Sequence, residues 1–273
     1  MLLKDLADDE VHIWIAVLDL PIIGIKKLNQ MLSSDERKRA ERFHFEQERK
    51  RFIVGVGILR TILGYYLSVE PGELRFCYGK HGKPRLADAF ANGSIHFNMS
   101  HSDGLALYGF TREREIGVDI EHVRDIPEMD KIVEQFFSAK EKDFLRSLPE
   151  NRKKKAFYSC WTKKEAFIKA IGDGLYQPLD KFDVAPIPGE LTRLLRMGED
   201  SKIESRWFIQ DLKPAPGFAG AFAVEGGSCQ LRFYQWSSKY KKKSKFKTNP
   251  SSKRVSIDLR KTTTFILLEE KSA

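Results

Sequence analysis

Cysteine is scarce: Cys77, Cys160 and Cys229 are the only three in 273 residues, far apart and without a Cys-x-x-Cys spacing. That excludes a disulfide-built scaffold and a cysteine zinc site, and leaves reduced, mostly buried thiols as the expectation. Long hydrophobic runs are also missing. A membrane span needs about 18 apolar residues, and the best candidate, residues 52–67, is broken by Arg60 and by glycines. The first ten residues carry acids where a secretory signal carries a basic segment and then an apolar one. A soluble cytoplasmic protein that does not enter a membrane is expected.

Excess charge is missing from most of the chain as well. The net charge of +9 suggests nucleic acid, yet residues 237–273 hold eleven Lys or Arg against three acids, which leaves 36 bases against 35 acids elsewhere. The body is almost neutral, so the basic character belongs to a tail.

What is present is 41% hydrophobic and 31% charged residues, patterned as alternating strands and helices. Residues 11–20 alternate as a strand. A short helix ends near Met31, Ser33 and Glu36 form a capping box that starts a basic helix to about Phe43, and Phe52, Val56, Leu59, Leu63 and Tyr66 recur at helical spacing. A strand at residues 73–78, the loop Gly79–Pro84, and a hairpin of residues 95–99 and 105–110 around a polar turn at 100–104 come next. The order then restarts: a strand at 116–120, helices at about 128–137, 139–148 and 152–171, and strands near 207–212, 218–224 and 231–236. This predicts an α+β fold of two similar halves, residues 1–111 and 112–236. Residues 237–273 are expected to be flexible, although their two apolar runs could dock as strands.

Three clusters carry chemistry. In Gly117-Val118-Asp119-Ile120-Glu121, alternation puts both carboxylates on one strand face, roughly 6 to 7 Å apart. Such a pair repels unless a cation lies between, and Mg²⁺ suits that place, as a solvated strand face also would. In the helix of residues 157–171, Phe157, Cys160, Trp161, Phe167, Ile168 and Ile171 form an apolar stripe with Lys164 at its centre. Glu165 and Lys169 lie four apart on its border. A lysine within such a stripe must pair, snorkel or serve a function. In Phe97-Asn98-Met99-Ser100-His101-Ser102, a hydroxyl, an imidazole and turn amides could bind an oxyanion, or could simply stabilise the turn. His101 has no partner at zinc-ligand spacing.

These motifs, with Phe136-Phe137-Ser138-Ala139-Lys140-Glu141, Gly172-Asp173-Gly174-Leu175 and residues 178–184, resemble in order and spacing the 4'-phosphopantetheinyl transferases of the larger, surfactin-synthetase-activating (Sfp) type. The resemblance covers about residues 10–225. It implies a pseudo-dimer of two α+β halves with the active site in the cleft between them. It further implies a holo-[acyl-carrier-protein] synthase type of enzyme, a cytoplasmic monomer, moving 4'-phosphopantetheine from coenzyme A to a serine of apo acyl or peptidyl carrier proteins and releasing adenosine 3',5'-bisphosphate. By the same resemblance, Asp119, Glu121 and Glu165 hold Mg²⁺, and Glu165, Lys169 and Lys164 are catalytic. Arg39, Arg51, Lys83, Pro84, Ser100 and His101 bind the coenzyme. Glu36 departs from the pattern, standing where relatives carry a base, with Arg37 expected to substitute. Apolar surface around Phe136 and Phe137, with Lys140, is expected to receive the carrier. The alternatives are a nucleic-acid-binding protein using the basic tail, disfavoured by the neutral body, and an inactive relative that binds carriers, disfavoured by the intact acids.

Overall fold

The computed structural model describes residues 6–90, 95–172, 178–184, 192–193, 196–197, 206–226, 229–237, 253–257 and 266–268. Strand β1 (Glu10–Val17) is followed by helices α1 (Ile22–Met31), α2 (Ser34–Glu41) and α3 (Glu46–Leu67). Two short strands, β2 (Phe76–Tyr78) and β3 (Pro84–Leu86), then precede the hairpin β4 (Ile95–Ser102) and β5 (Leu105–Arg112). The order repeats with β6 (Ile116–His122), helices α4 (Met129–Phe136), α5 (Ala139–Ser147) and α6 (Glu150–Ile171), and short strands β7 (Phe182–Asp183), β8 (Thr192–Arg193) and β9 (Arg196–Met197). The hairpin β10 (Trp207–Leu212) and β11 (Phe218–Glu225) completes the repeat, and β12 (Gln230–Ser237), β13 (Lys253–Ile257) and β14 (Ile266–Leu268) follow.

The two sheets repeat one topology. β1 pairs antiparallel with β5, and β5 with β4; β6 pairs antiparallel with β11, and β11 with β10. In each half the last helix before the hairpin is 22 residues long. Trp14, Leu28, Val54, Ile58, Ile62 and Phe110 join the first sheet to α1 and α3, and Phe157, Phe167, Ile209, Ala221 and Ala223 join the second sheet to α6. Between the sheets, Val11, Ile13, Ile15 and Leu107 meet Val118, Ile120, Phe222 and Val224. Each sheet is thus covered on both faces, which is why β1 is buried along nearly its whole length rather than on alternate residues.

β12 crosses back and pairs parallel with β1 from Glu10↔Gln230 to Ile15↔Gln235, with Tyr234 stacked on Trp14 and Arg232 Nε donating to Glu10 Oε1 at 3.0 Å. Period-two alternation identifies a strand but not its partner. Beyond it, β13 pairs with β12 and β14 with β13, so parts of the tail have strand structure. The lysine cluster of residues 239–247 and residues 173–175 of the matched motifs lie outside the described residues.

Two local expectations also change. The strand expected at 73–78 begins only at Phe76. The polar turn expected at 100–104 shrinks to Asp103-Gly104, with φ of 41° and 79°, because Asp-Gly supplies a two-residue turn and the ladder continues to Ser102↔Leu105. Ser100, His101 and Ser102 are therefore strand residues, and the expected nest of turn amides is not formed there.

Candidate active site

β6 and α6 lie in direct contact. A Cβ at Gly117 would fall 2.0 Å from the Ala166 carbonyl oxygen and 2.4 Å from the Ala170 amide nitrogen, so glycine is required for the helix backbone to rest on the strand. Asp119 and Glu121 follow on the same strand face, and Glu165 and Lys169 come from the helix above. Asp119 is only 2% exposed. Its Oδ1 accepts hydrogen bonds from Lys169 Nζ at 2.5 Å and from Ser100 Oγ at 2.9 Å. Lys169 Nζ also donates to Ser100 Oγ at 3.1 Å. Asp119 Oδ2 is buried with no hydrogen-bond partner among the described residues.

β4 reaches β6 although the two belong to different sheets. Alternate residues of β4 make the crossing. Asn98 Oδ1 accepts from the Val118 amide at 2.9 Å, Ser100 binds Asp119, and Ser102 Oγ donates to Glu121 Oε2 at 3.0 Å while accepting from the His122 amide at 3.1 Å. Side chains thus replace a backbone ladder along this seam and fix the carboxylates from the opposite wall.

The cluster is short of positive charge. Burial and then the Asp119 charge raise the Glu121 carboxyl above its ordinary value, against the Ser102 hydrogen bond and Lys169. Burial also raises Glu165, which Lys169 opposes and Asp119 and Glu121 reinforce. An excess of carboxylate oxygen with one buried orphan atom fits a hard divalent cation such as Mg²⁺. As the side chains stand, no three His, Cys, Asp or Glu among the described residues converge closely enough to hold an ion. Lys169 occupies one of the two Asp119 oxygens, Oδ1.

The basic residues expected at the coenzyme are placed differently from one another. His101 keeps an exposed face at the end of β4; desolvation, then the charges of Lys169 and Arg51, lower its pKa against the pull of Glu48. Arg51 makes a two-pronged pair with Asp19, at 2.8 and 2.9 Å, and lies 3.8 Å from Asp103. Arg39 is exposed, with its guanidinium 5.4 Å from the Phe52 ring centroid. Pro84 opens β3. Lys83 turns inward: its Nζ donates to Glu115 Oε2 at 2.7 Å, to the Ile116 carbonyl at 3.2 Å and to the Ala170 carbonyl at 2.6 Å. It ties the β2–β3 hairpin to the C-terminal end of α6, where the helix dipole favours a cation. Glu36 is buried, holding Arg60 through both oxygens at 2.8 and 3.0 Å as well as closing its capping box. The expected substitute, Arg37, donates to the Leu32 carbonyl.

Lys164 does not reach the carboxylate cluster. It is 0% exposed, and its three donors meet Glu141 Oε2 at 2.8 Å and the carbonyls of Leu179 and Phe182, each at 2.7 Å. All three donors of the ammonium are thus engaged away from the carboxylate cluster, which is the arrangement of a structural lysine. Glu141 also accepts from the amides of Ser138 and Val184, at 2.9 and 2.8 Å, so this pair fastens α5, α6 and β7 together. Helical periodicity flagged Lys164 as anomalous but gave no sign of its distant partner. The expected exposure of Phe137 is corrected. It is 0% exposed, in a stack with Phe157 and Trp161, and cannot form part of a docking surface.

Residues 115–223 match the family model described as the 4'-phosphopantetheinyl transferase superfamily, and residues 24–108 match one described as 4'-phosphopantetheinyl transferase, N-terminal. The chain is 41% identical over 231 residues to the 4'-phosphopantetheinyl transferase HetI of Nostoc sp., covering 85% of this chain and 94% of that protein. It is 33% identical to the 4'-phosphopantetheinyl transferase ffp of Bacillus subtilis, over 70% of this chain and 81% of that one. With the 4'-phosphopantetheinyl transferase Sfp of Bacillus subtilis it shares 30% identity, over 58% and 68% respectively.

Proposed function

The chain belongs to the 4'-phosphopantetheinyl transferase superfamily and transfers phosphopantetheine to carrier proteins; on that premise we propose how its own residues carry out the transfer. The two halves of matched topology form a pseudo-dimer, and the seam of β4 against β6 is the cleft that takes coenzyme A. Asp119, Glu121 and Glu165 are the residues that would hold Mg²⁺. The observation that carries this assignment is the buried, unpartnered Asp119 Oδ2 beside Glu121 and Glu165, whose carboxyls are raised first by burial and then by neighbouring negative charge. When bound, the cation supplies neutralisation of the pyrophosphate and of the charge that gathers on the leaving group.

The serine hydroxyl of the carrier attacks the β-phosphorus of coenzyme A. The new bond is from serine oxygen to phosphorus, the phosphoanhydride bond breaks, and adenosine 3',5'-bisphosphate leaves with the electron pair. Glu165, raised above an ordinary carboxyl and therefore more basic once ionised, takes the serine proton. Lys169, which donates to Ser100 Oγ at 3.1 Å, and Ser100, once its hydroxyl turns from Asp119, present their hydrogens to the phosphate oxygens. His101 lines the mouth beside them, with Arg51 and Arg39 supplying charge for the 3'-phosphate and the Lys83–Pro84 hairpin bordering the adenine. No helix among the described residues is long and apolar enough to cross a membrane, and the enzyme works as a cytoplasmic monomer.

The test is incubation with coenzyme A, Mg²⁺ and a panel of apo carrier proteins, followed by intact mass measurement. A phosphopantetheine adduct on the carrier serine, abolished by a chelator and restored by Mg²⁺, is expected. An adduct formed at the same rate in excess chelator would remove the cation from the account.

A further inference from the structure

We infer that Lys169 is the built-in counter-cation of the carboxylate cluster, occupying Asp119 until the polyanionic donor draws it away, so that divalent cation and coenzyme A bind cooperatively. The inference rests on the proposed cation site and goes beyond it by coupling the order in which cation and donor fill the cleft.

Three features of the cluster point this way. Lys169 Nζ sits 2.5 Å from Asp119 Oδ1, which Ser100 Oγ also bonds, whereas Oδ2 of the same carboxylate has no hydrogen bond among the described residues. The ammonium thus holds half of the principal ligand and leaves the other half vacant. A divalent cation entering at Oδ2 would stand within a few ångströms of that ammonium in a partly buried site, where like charges are poorly screened. The phosphate-free cleft therefore opposes the cation.

Lys169 is also able to leave, unlike its neighbours on the helix. Its side chain is 30% exposed, at the cleft surface, and a lysine head on a four-carbon stem is readily redirected. Lys163 and Lys164 are fully buried, the first against Asp211 and the second against Glu141. A pyrophosphate at the seam brings oxygens to both cations. It offers Lys169 a new partner, releases Asp119 Oδ1, and supplies the phosphate ligands that Mg²⁺ ordinarily requires beside one or two carboxylates. Since coupling between two bound species is reciprocal, the cation must tighten coenzyme A by the same factor by which coenzyme A tightens the cation.

The experiment measures Mn²⁺ binding to the full chain by the paramagnetic resonance signal of free Mn²⁺. Without coenzyme A, Lys169→Met should bind Mn²⁺ at least about tenfold more tightly than wild type, the order expected for removing a charge-assisted contact. Lys169→Arg, which keeps the charge, should stay near wild type. Adding coenzyme A should tighten Mn²⁺ binding to wild type and have much less effect on Lys169→Met. Should Lys169→Met unfold without metal, its melting temperature must rise more with Mn²⁺ than that of wild type. Equal or weaker Mn²⁺ binding by Lys169→Met, or an equal or smaller rise in melting temperature, overturns the inference; if Asp119→Asn still weakens Mn²⁺ binding, the cation site survives. Binding indifferent to Asp119→Asn in every background would instead overturn the cation site itself.

Discussion

Replacing Lys164 by methionine should be among the most destabilising single changes in the molecule, through the fold rather than through the reaction. The substitution keeps the length and apolar stem of the side chain, so packing against the Phe182 ring, 4.3 Å from the ammonium, is largely retained. What it removes is the positive partner of a carboxylate that is 1% exposed, together with the donor to two carbonyls. Breaking one side of a buried ion pair costs about 3–5 kcal/mol, a large part of the roughly 5–15 kcal/mol that holds a domain together. Glu141→Gln in the same background removes the stranded charge and keeps an oxygen for one of the two amides, Ser138 or Val184, which bond to different Glu141 oxygens, and should restore part of the loss, about 1–2 kcal/mol. Equilibrium urea unfolding of wild type, both single variants and the double variant, followed by tryptophan fluorescence, gives the coupling directly. Turnover per folded molecule should stay at the wild-type level in Lys164→Met. Additive effects with no coupling, or a folded Lys164→Met enzyme without turnover, would refute the structural reading and return Lys164 to the reaction.

Three other outcomes follow from the same geometry. Burial alone would raise the Glu115 carboxyl, but hydrogen bonds from His96 and Lys83 outweigh it and hold the group at about 2. Its stabilising contribution is therefore complete above the unfolded value near 4.5 and is lost as pH falls toward 2. With allowance for solvent screening it amounts to about 1–2 kcal/mol, so acid titration of stability should be flatter over that window in Glu115→Gln. Gly117→Ala must push α6 off β6 and should cost about 3 kcal/mol or more, read as a lowered melting temperature together with lost transfer. Deleting residues 238–273 should preserve transfer, because every residue assigned to the site precedes them; loss of activity in a chain that still melts cooperatively would show that the tail acts in catalysis.

Much of this was legible in the sequence because local rules operated without competition. The Ser33–Glu36 capping box, the apolar stripe of α6 and the period-two face of β6 depend on residues within a few positions of one another, and they stand where the pattern puts them. The turn at Asp103-Gly104 was equally local, but the run of serine and histidine before it imitates a loop, since polar residues on β4 are there to bind β6 rather than water. The remaining features depend on distant partners. Glu141 for Lys164, Glu115 for Lys83 and β1 for β12 lie 23, 32 and more than 200 residues away, and no periodicity encodes those meetings. A charged residue in an apolar stripe is the one signal available, and it says only that a partner must exist.

The central claim is that the carboxylates brought together by β6 and α6 carry the transfer, with Asp119 as their anchor. The most direct measurement compares wild type with Asp119→Asn, a nearly isosteric change, in the same reaction of coenzyme A, Mg²⁺ and apo carrier protein, read as the mass of the carrier over time. Wild type should convert the carrier to its phosphopantetheinylated form, while a folded Asp119→Asn protein should leave it unmodified. Conversion at the wild-type rate by Asp119→Asn would contradict the account.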